Sequence, residues 1–149
     1  MALGIDDVRR FVPLDHGLAI VSVGLPSGGV ASSLVNAGVV DHPTTGAPVV
    51  GFVVRGDSRK LVHLRRDPRA TAAWRAGWRW IAASGPVALV GPDDPGLGLS
   101  PQDLAAHLRA VFAGAGGTHE DWDEFDRVMA AERRTAVLLQ PARVYGQGG

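Results

Sequence analysis

Residues 17–24 read GLAIVSVG, residues 25–29 LPSGG and residues 30–40 VASSLVNAGVV. The first segment is β-branched and apolar, the mark of a buried strand, and the last is the strand that returns beside it. Pro and Gly make the segment between them a turn. DHPTTGAP, Asp41 to Pro48, is a second turn, and Val49 to Arg55 a third strand. Connections this short join antiparallel neighbours, because a parallel crossover takes a dozen residues or more. The chain therefore opens as an antiparallel meander, preceded by a short helix over Asp6–Phe11 that ends near Pro13.

Further along, Ser58 to Arg66 reads as a helix. Ser58 caps it, Leu61 and Leu64 share a face, and Asp67-Pro68 stops it. Strands are expected over Arg69–Arg75 and Trp78–Val90, joined at Ala76-Gly77. Ser100 to Ala113 is a helix with Ser100 as cap, Pro101 in the first turn and Asp103 at the capping-box position. Its apolar stripe is Leu104, Leu108, Val111 and Phe112. A helix over Thr118–Arg134, a strand over Thr135–Leu139 and a short tail, Arg143 to Tyr145, complete the chain. Six mostly antiparallel strands with helices inserted between them predict a mainly β, α+β architecture: a small barrel with helices outside, one domain over residues 1–149.

Composition narrows the function. Cysteine is absent, which excludes disulfides, thiol catalysis and thiolate metal sites and fits a reducing cytoplasm. The 15 basic and 15 acidic residues balance to a net charge of +0, against a nucleic-acid-binding surface. No apolar run is long enough to span a membrane. The first residues carry an acidic pair and no apolar core, so no signal peptide is expected. Hydrolase and nucleotide fingerprints are missing: there is no G-x-S-x-G, no G-x-x-x-x-G-K, and GAGG at 114–117 follows a helix rather than a strand. The five histidines form no HxxxH or HExxH pair, so no zinc site is expected, and His107 on its helical stripe reads as packed.

Three groups of residues remain as site candidates. Asp57-Ser58-Arg59-Lys60 joins a strand to a helix, and Lys60 is the only lysine among the basic residues. A helix start offers free amides and partial positive charge, Arg59 a bidentate fork and Lys60 a compact charge, together suited to phosphate. The same pattern fits a capped helix with solvated cations. Arg65, Arg66 and Arg69 surround the helix end, where the dipole explains them without a ligand. On the second strand, alternation puts Ser33 on one face and Ser32 with Asn36 on the other, to bond a heterocycle or phosphate or to sit on a solvated sheet. Trp78 and Trp80 share a strand face near Trp74; core placement is the first expectation, a ligand wall or dimer contact the second. No side chain presents itself as catalytic base or nucleophile.

Three stretches carry a resemblance. SRKLVHLRRDPRA at 58–70, GWRW at 77–80 running into ASG at 83–85, and HEDWDEFDRVM at 119–129 followed by ERR at 132–134 and RVYG at 143–146 are similar to the pyridoxamine-phosphate-oxidase-like split-barrel family. Within it, the chain most resembles the actinobacterial branch that uses the deazaflavin coenzyme F420. The resemblance implies a six-stranded, FMN-binding-like split β-barrel and a homodimer with two cofactor sites at its interface. It implies that Ser58, Arg59 and Lys60 hold the cofactor phosphate, and that Ser32, Ser33 and Val53 lie on strands lining the cofactor. Trp78 and Trp80 fall near the site or the dimer seam. The activity implied is an F420H2-dependent reductase delivering a hydride to a small unsaturated or quinone-like substrate. FMN-dependent oxidation or reduction, and non-catalytic cofactor or haem binding, belong to the same fold. His63, where close relatives often carry an amide, and the long DHPTTGAP turn depart from the F420 pattern.

Overall fold

A computed structural model describes residues 2–147. The chain runs α1 (Ile5–Phe11), β1 (Leu18–Gly24), β2 (Val30–Asn36), β3 (Gly38–Asp41), β4 (Pro48–Val54), α2 (Arg59–Arg66), β5 (Arg69–Ala76), β6 (Arg79–Val90), α3 (Pro101–Gly114), α4 (Trp122–Ala131), β7 (Thr135–Leu139) and β8 (Arg143–Gln147). Pro13 sits in a 3-10 turn, Val12–Asp15, that ends the first helix as expected. All pairings are antiparallel, in the order β2-β1-β5-β6-β7-β4-β3, with β8 also on β6. This is the α+β split-barrel architecture.

The eight segments are the six expected strands with one broken and one extended through the tail. The single strand expected over 30–40 breaks at Ala37: Val30–Asn36 pair with β1, and Gly38–Asp41 pair with β4. Because β2 and β3 stand at opposite ends of the strand order yet are contiguous in sequence, the sheet closes. The break has a steric cause. A Cβ on Gly38 would lie 2.0 Å from the Gly114 carbonyl oxygen, so the chain slips past the end of α3 only as glycine. The Trp74 indole donates to the freed Ala37 carbonyl at 3.1 Å. The tail is likewise a strand: β7 pairs with Val87–Val90 of β6 and β8 with Trp80–Ser84 of the same strand. Bonds from Gln140 to Pro86 and from Ala142 to Ser84, 2.9 and 3.0 Å, carry the ladder across the interruption.

Inward-facing Val21, Ala72, Trp74, Ile81, Phe52 and Val137 form the barrel core, joined by Val8 of α1 and by Leu61 and Leu64 of α2. On the other side of β4 and β7, Val49, Ala136 and Leu138 pack under Leu108 and Val111 of α3 and Phe125 of α4. Helix α4 starts four residues later than expected, because the Asp121 carboxylate takes the Glu124 amide at 3.1 Å and caps it there. The expected core pair is corrected. Trp78 lies in the turn before β6 and is 97% exposed, and Trp80 is 38% exposed; Trp74 is the buried indole.

The split lies between β2 and β4. Strand β2 pairs only with β1, and β3 leaves β4 at Gly51, so Phe52–Val54 pair only with β7. Two unpaired edges thus diverge from Ala37-Gly38, and α2 starts where β4 ends.

Candidate functional site

Ser58 sits in extended conformation and its Oγ accepts from the Lys60 amide at 3.2 Å, which starts α2 as expected. This start faces a cavity of about 220 Å³ lined by Ser32, Ser33, Ser58, Arg59, Lys60 and His63, over Val23 and Ala31. Neither cationic head group, of Arg59 or of Lys60, has a carboxylate partner among the described residues. Most of their neighbours differ: Arg55 faces Asp57 at 3.3 Å, Arg65 faces Asp94 at 2.7 Å and Arg69 faces Asp67 at 2.8 Å, while Arg66 donates to the Gly24 carbonyl at 3.1 Å. Burial lowers the Lys60 pKa from the ordinary lysine value. A partly desolvated, unpaired ammonium costs free energy that a bound anion offsets.

Strand β2 continues from this cavity into a second one, about 330 Å³, lined by Leu34, Val35 and Asn36, by Val53 of β4, by Val111, Phe112, Phe125 and Met129 of the two outer helices, and by Arg134. From Ser32 to Asn36 the strand advances ~13 Å at ~3.3 Å per residue. The two cavities therefore follow one another along β2: a cationic one between β2 and the start of α2, and a mainly apolar one between β2 and Val53 of β4. Ser33 opposes Val21, while Ser32 bonds Ser22 across the outer face, Oγ to Oγ 2.7 Å.

The structure thus gathers Ser32, Ser33, Ser58, Arg59 and Lys60 around one cavity and puts Val53 in its neighbour. Trp80 is elsewhere, lining a cavity with Phe11 and Leu14 and meeting Tyr145 edge-on at 5.9 Å. Trp78 stands in solvent, so neither indole reaches the split within one protomer. Sequence reasoning missed Arg134 and Met129 as site residues, since only the packing of α4 on α3 and the pairing of β7 with β4 bring them to β2. A larger cavity of about 620 Å³ opens on the outer sheet face beside Ser22, Thr71 and Ser84. Its Arg69 is already held by both oxygens of Asp67, at 2.8 and 3.0 Å, so it presents no free cation.

Among the described residues no helix is long and apolar enough to cross a membrane. No family model matches the chain. Solved structures do. A conserved hypothetical protein of Mycobacterium tuberculosis superposes with a TM-score of 0.69 at 18% identity, covering 98% of this chain and 85% of its own. A pyridoxamine 5'-phosphate oxidase-related, FMN-binding protein of Nostoc punctiforme gives 0.64 at 15% identity, over 98% and 86%. An F420 reductase gives 0.62 at 12% identity, over 97% and 98%. At such identities the likeness is one of fold, and the fold is the FMN-binding-like split barrel.

Proposed function

We propose that this protein is an F420H2-dependent oxidoreductase that binds its deazaflavin in the split between β2 and β4 and works as a homodimer in the cytoplasm. The observation that carries the reading is the pair of uncompensated cations, Arg59 and Lys60, beside a capped helix start, with a mainly apolar cavity next along β2; we read the two cavities as the ends of one groove. The groove fits such a cofactor in kind: cations and hydroxyls for a phosphate at one end, apolar walls for a flat ring at the other. When bound, the cofactor supplies the hydride. The chain's own part is to hold and orient. Ser58, Arg59 and Lys60 anchor the phosphate, Ser32 and Ser33 offer hydroxyls beside it, and Val53 with Phe112, Phe125 and Met129 excludes water from the ring end. No nucleophile or general base is required of the chain, and none is assigned.

The F420 preference rests on the resemblance of the three stretches, taken together, to the F420 branch. FMN is the second reading, favoured by His63 standing in the cavity where that branch often carries an amide. Fluorescence titration with F420 and with FMN separates them. Micromolar or tighter F420 binding with weaker FMN binding is expected. Equal or tighter FMN binding reassigns the cofactor, and binding of neither removes the oxidoreductase reading.

A further inference from the structure

Arg134 stands at the ring end of the split, opposite the end that holds Arg59 and Lys60. It follows Arg133, whose left-handed backbone (φ 50) turns the chain from α4 into β7. The Arg134 side chain is 26% exposed and donates through Nε to Glu132 Oε1 at 2.9 Å. Glu132 is not its private counter-ion, because the other carboxylate oxygen lies 3.7 Å from Arg55. The two terminal nitrogens of Arg134 make no hydrogen bond among the described residues. One edge of the guanidinium is therefore fixed, and the other is unpaired on a cavity walled mainly by apolar side chains, among them Leu34, Val53, Phe125 and Met129, with Asn36 as its other polar residue. A planar, permanently charged fork held this way is suited to an oxygen or nitrogen that carries negative charge.

The groove has a cation at each end, and a phosphate accounts for only one of them. We propose that Arg134 contacts the cofactor ring and stabilises the negative charge that an isoalloxazine-type ring carries when reduced. The inference rests on the cofactor reading above. Hydride uptake brings the ring two electrons and one proton, so a neutral ring becomes a monoanion, its charge shared between N1 and the C2 carbonyl oxygen. Returning the hydride to an acceptor removes that charge. Arg134 stays protonated throughout and binds the reduced form more tightly than the oxidised one, as charge placed near the ring tunes such cofactors. FMN follows this balance directly; the deazaflavin ring of F420 carries an acidic hydroxyl and so brings negative charge of its own in both oxidation states, and the difference between the two states is read most plainly with FMN.

The test compares dissociation constants for oxidised and reduced cofactor, with FMN and F420 each used as probe, in wild type, Arg134→Met and Arg134→Lys. Arg134→Met is expected to weaken reduced-form binding about tenfold more than oxidised-form binding, which moves the bound two-electron couple ~30 mV more negative. Arg134→Lys should restore most of the difference, because it restores charge without the fork. Arg134→Gln removes the charge but keeps a donor for Glu132, and carries the same measurement if the Met variant melts early. Equal changes in both oxidation states, or none, would make Arg134 a structural partner of Glu132 and overturn the inference while Lys60-dependent binding survives. Failure of wild type to bind either cofactor would remove the site reading itself, and this inference with it.

Discussion

Lys60 and Arg65 sit on one helix in opposite electrostatic situations. Arg65 puts two nitrogens on Asp94, at 3.0 and 2.7 Å, and that hydrogen bonding raises its pKa. Lys60 has no such partner, and burial lowers its pKa. Lys60→Ala is therefore expected to lower affinity for a phosphate-bearing cofactor about ten- to a hundred-fold, the value of a charge-assisted bond of roughly 1.5–3 kcal/mol, with the melting temperature of the cofactor-free protein equal to wild type or higher. A phosphate-free fragment should bind both proteins alike. Arg65→Ala should cost about 1 kcal/mol of stability, since Arg65 is 37% exposed though Asp94 is only 16% exposed, and leave affinity unchanged. Matched titrations and melts of the two variants check both statements. The Ser58 cap and the cation cluster were legible because they are local. Which cations are free was not, because Asp94 lies 29 positions from Arg65. His107 makes a second residue-scale case. It is buried, as its place on the helical stripe predicts, and its Nε2 has no hydrogen-bond partner. Burial first, then the charge of His42, lowers its pKa below 6.5. The unfolded chain therefore takes up this proton before the folded one does as pH falls. The contribution of His107 is complete above about pH 6.5 and is lost as pH drops toward its folded value. His107→Leu should flatten the melting temperature between pH 7 and 5; an unchanged slope would assign the acid sensitivity to other groups.

Strand breaks, rather than strands, shape the site at the level of elements. Strand β2 leaves β3 at Ala37, and the free edge it keeps is one wall of the split. Gly38→Ala tests this arrangement. Its Cβ would meet Gly114 O at 2.0 Å and Ala115 Cα at 2.8 Å, backbone on both counts, so no rotamer change relieves it. A loss of about 1–3 kcal/mol is expected, read as a lower urea midpoint at unchanged m. Gly96→Ala, with no atom within 4 Å of the added Cβ, should stay within about 0.5 kcal/mol. Equal stability of the two variants would show that α3 does not press on the crossover. The break was not legible in VASSLVNAGVV because no proline or turn cluster interrupts it, and period-2 alternation does not report which neighbour a strand pairs with. β8 went unread for a related reason: five residues have little pattern of their own, and their partner Trp80–Ser84 lies far back in the chain. The hairpin of β1 and β2, the α2 start and the α3 cap were read correctly, since each is set by turn or capping residues within a few positions.

One face of the barrel remains bare in the single chain. Helices α3 and α4 cover β4 and β7, but the outer face of β2, β1, β5, β6 and β8 carries no helix. Register lays Leu34, Ile20, Ala73, Ala82 and Tyr145 in one row across it. Leu34 is 61% and Ile20 47% exposed, and Trp80 stands edge-on to Tyr145 at the end of the face. Ala82 is buried within the row and Arg143 lies over the Tyr145 ring, so the open apolar part is Leu34 and Ile20, a strip that a second copy of the chain would cover by two-fold pairing of like on like. Because Leu34 also lines the ring end of the groove, a partner seated on this face would help close the cofactor site. The protein is therefore expected to show twice the chain mass by light scattering with cofactor present. Ile20→Lys combined with Ala73→Glu places charges in the middle of the row without touching either cavity of the split, and should give a folded monomer. If the partner completes the site, that monomer binds cofactor more weakly although Ser58, Arg59, Lys60 and Arg134 are intact. If it binds as tightly as wild type, the site is complete within one chain and pairing serves stability alone. A wild-type monomer at working concentrations would leave the apolar row without its proposed occupant and remove the homodimer from the functional reading.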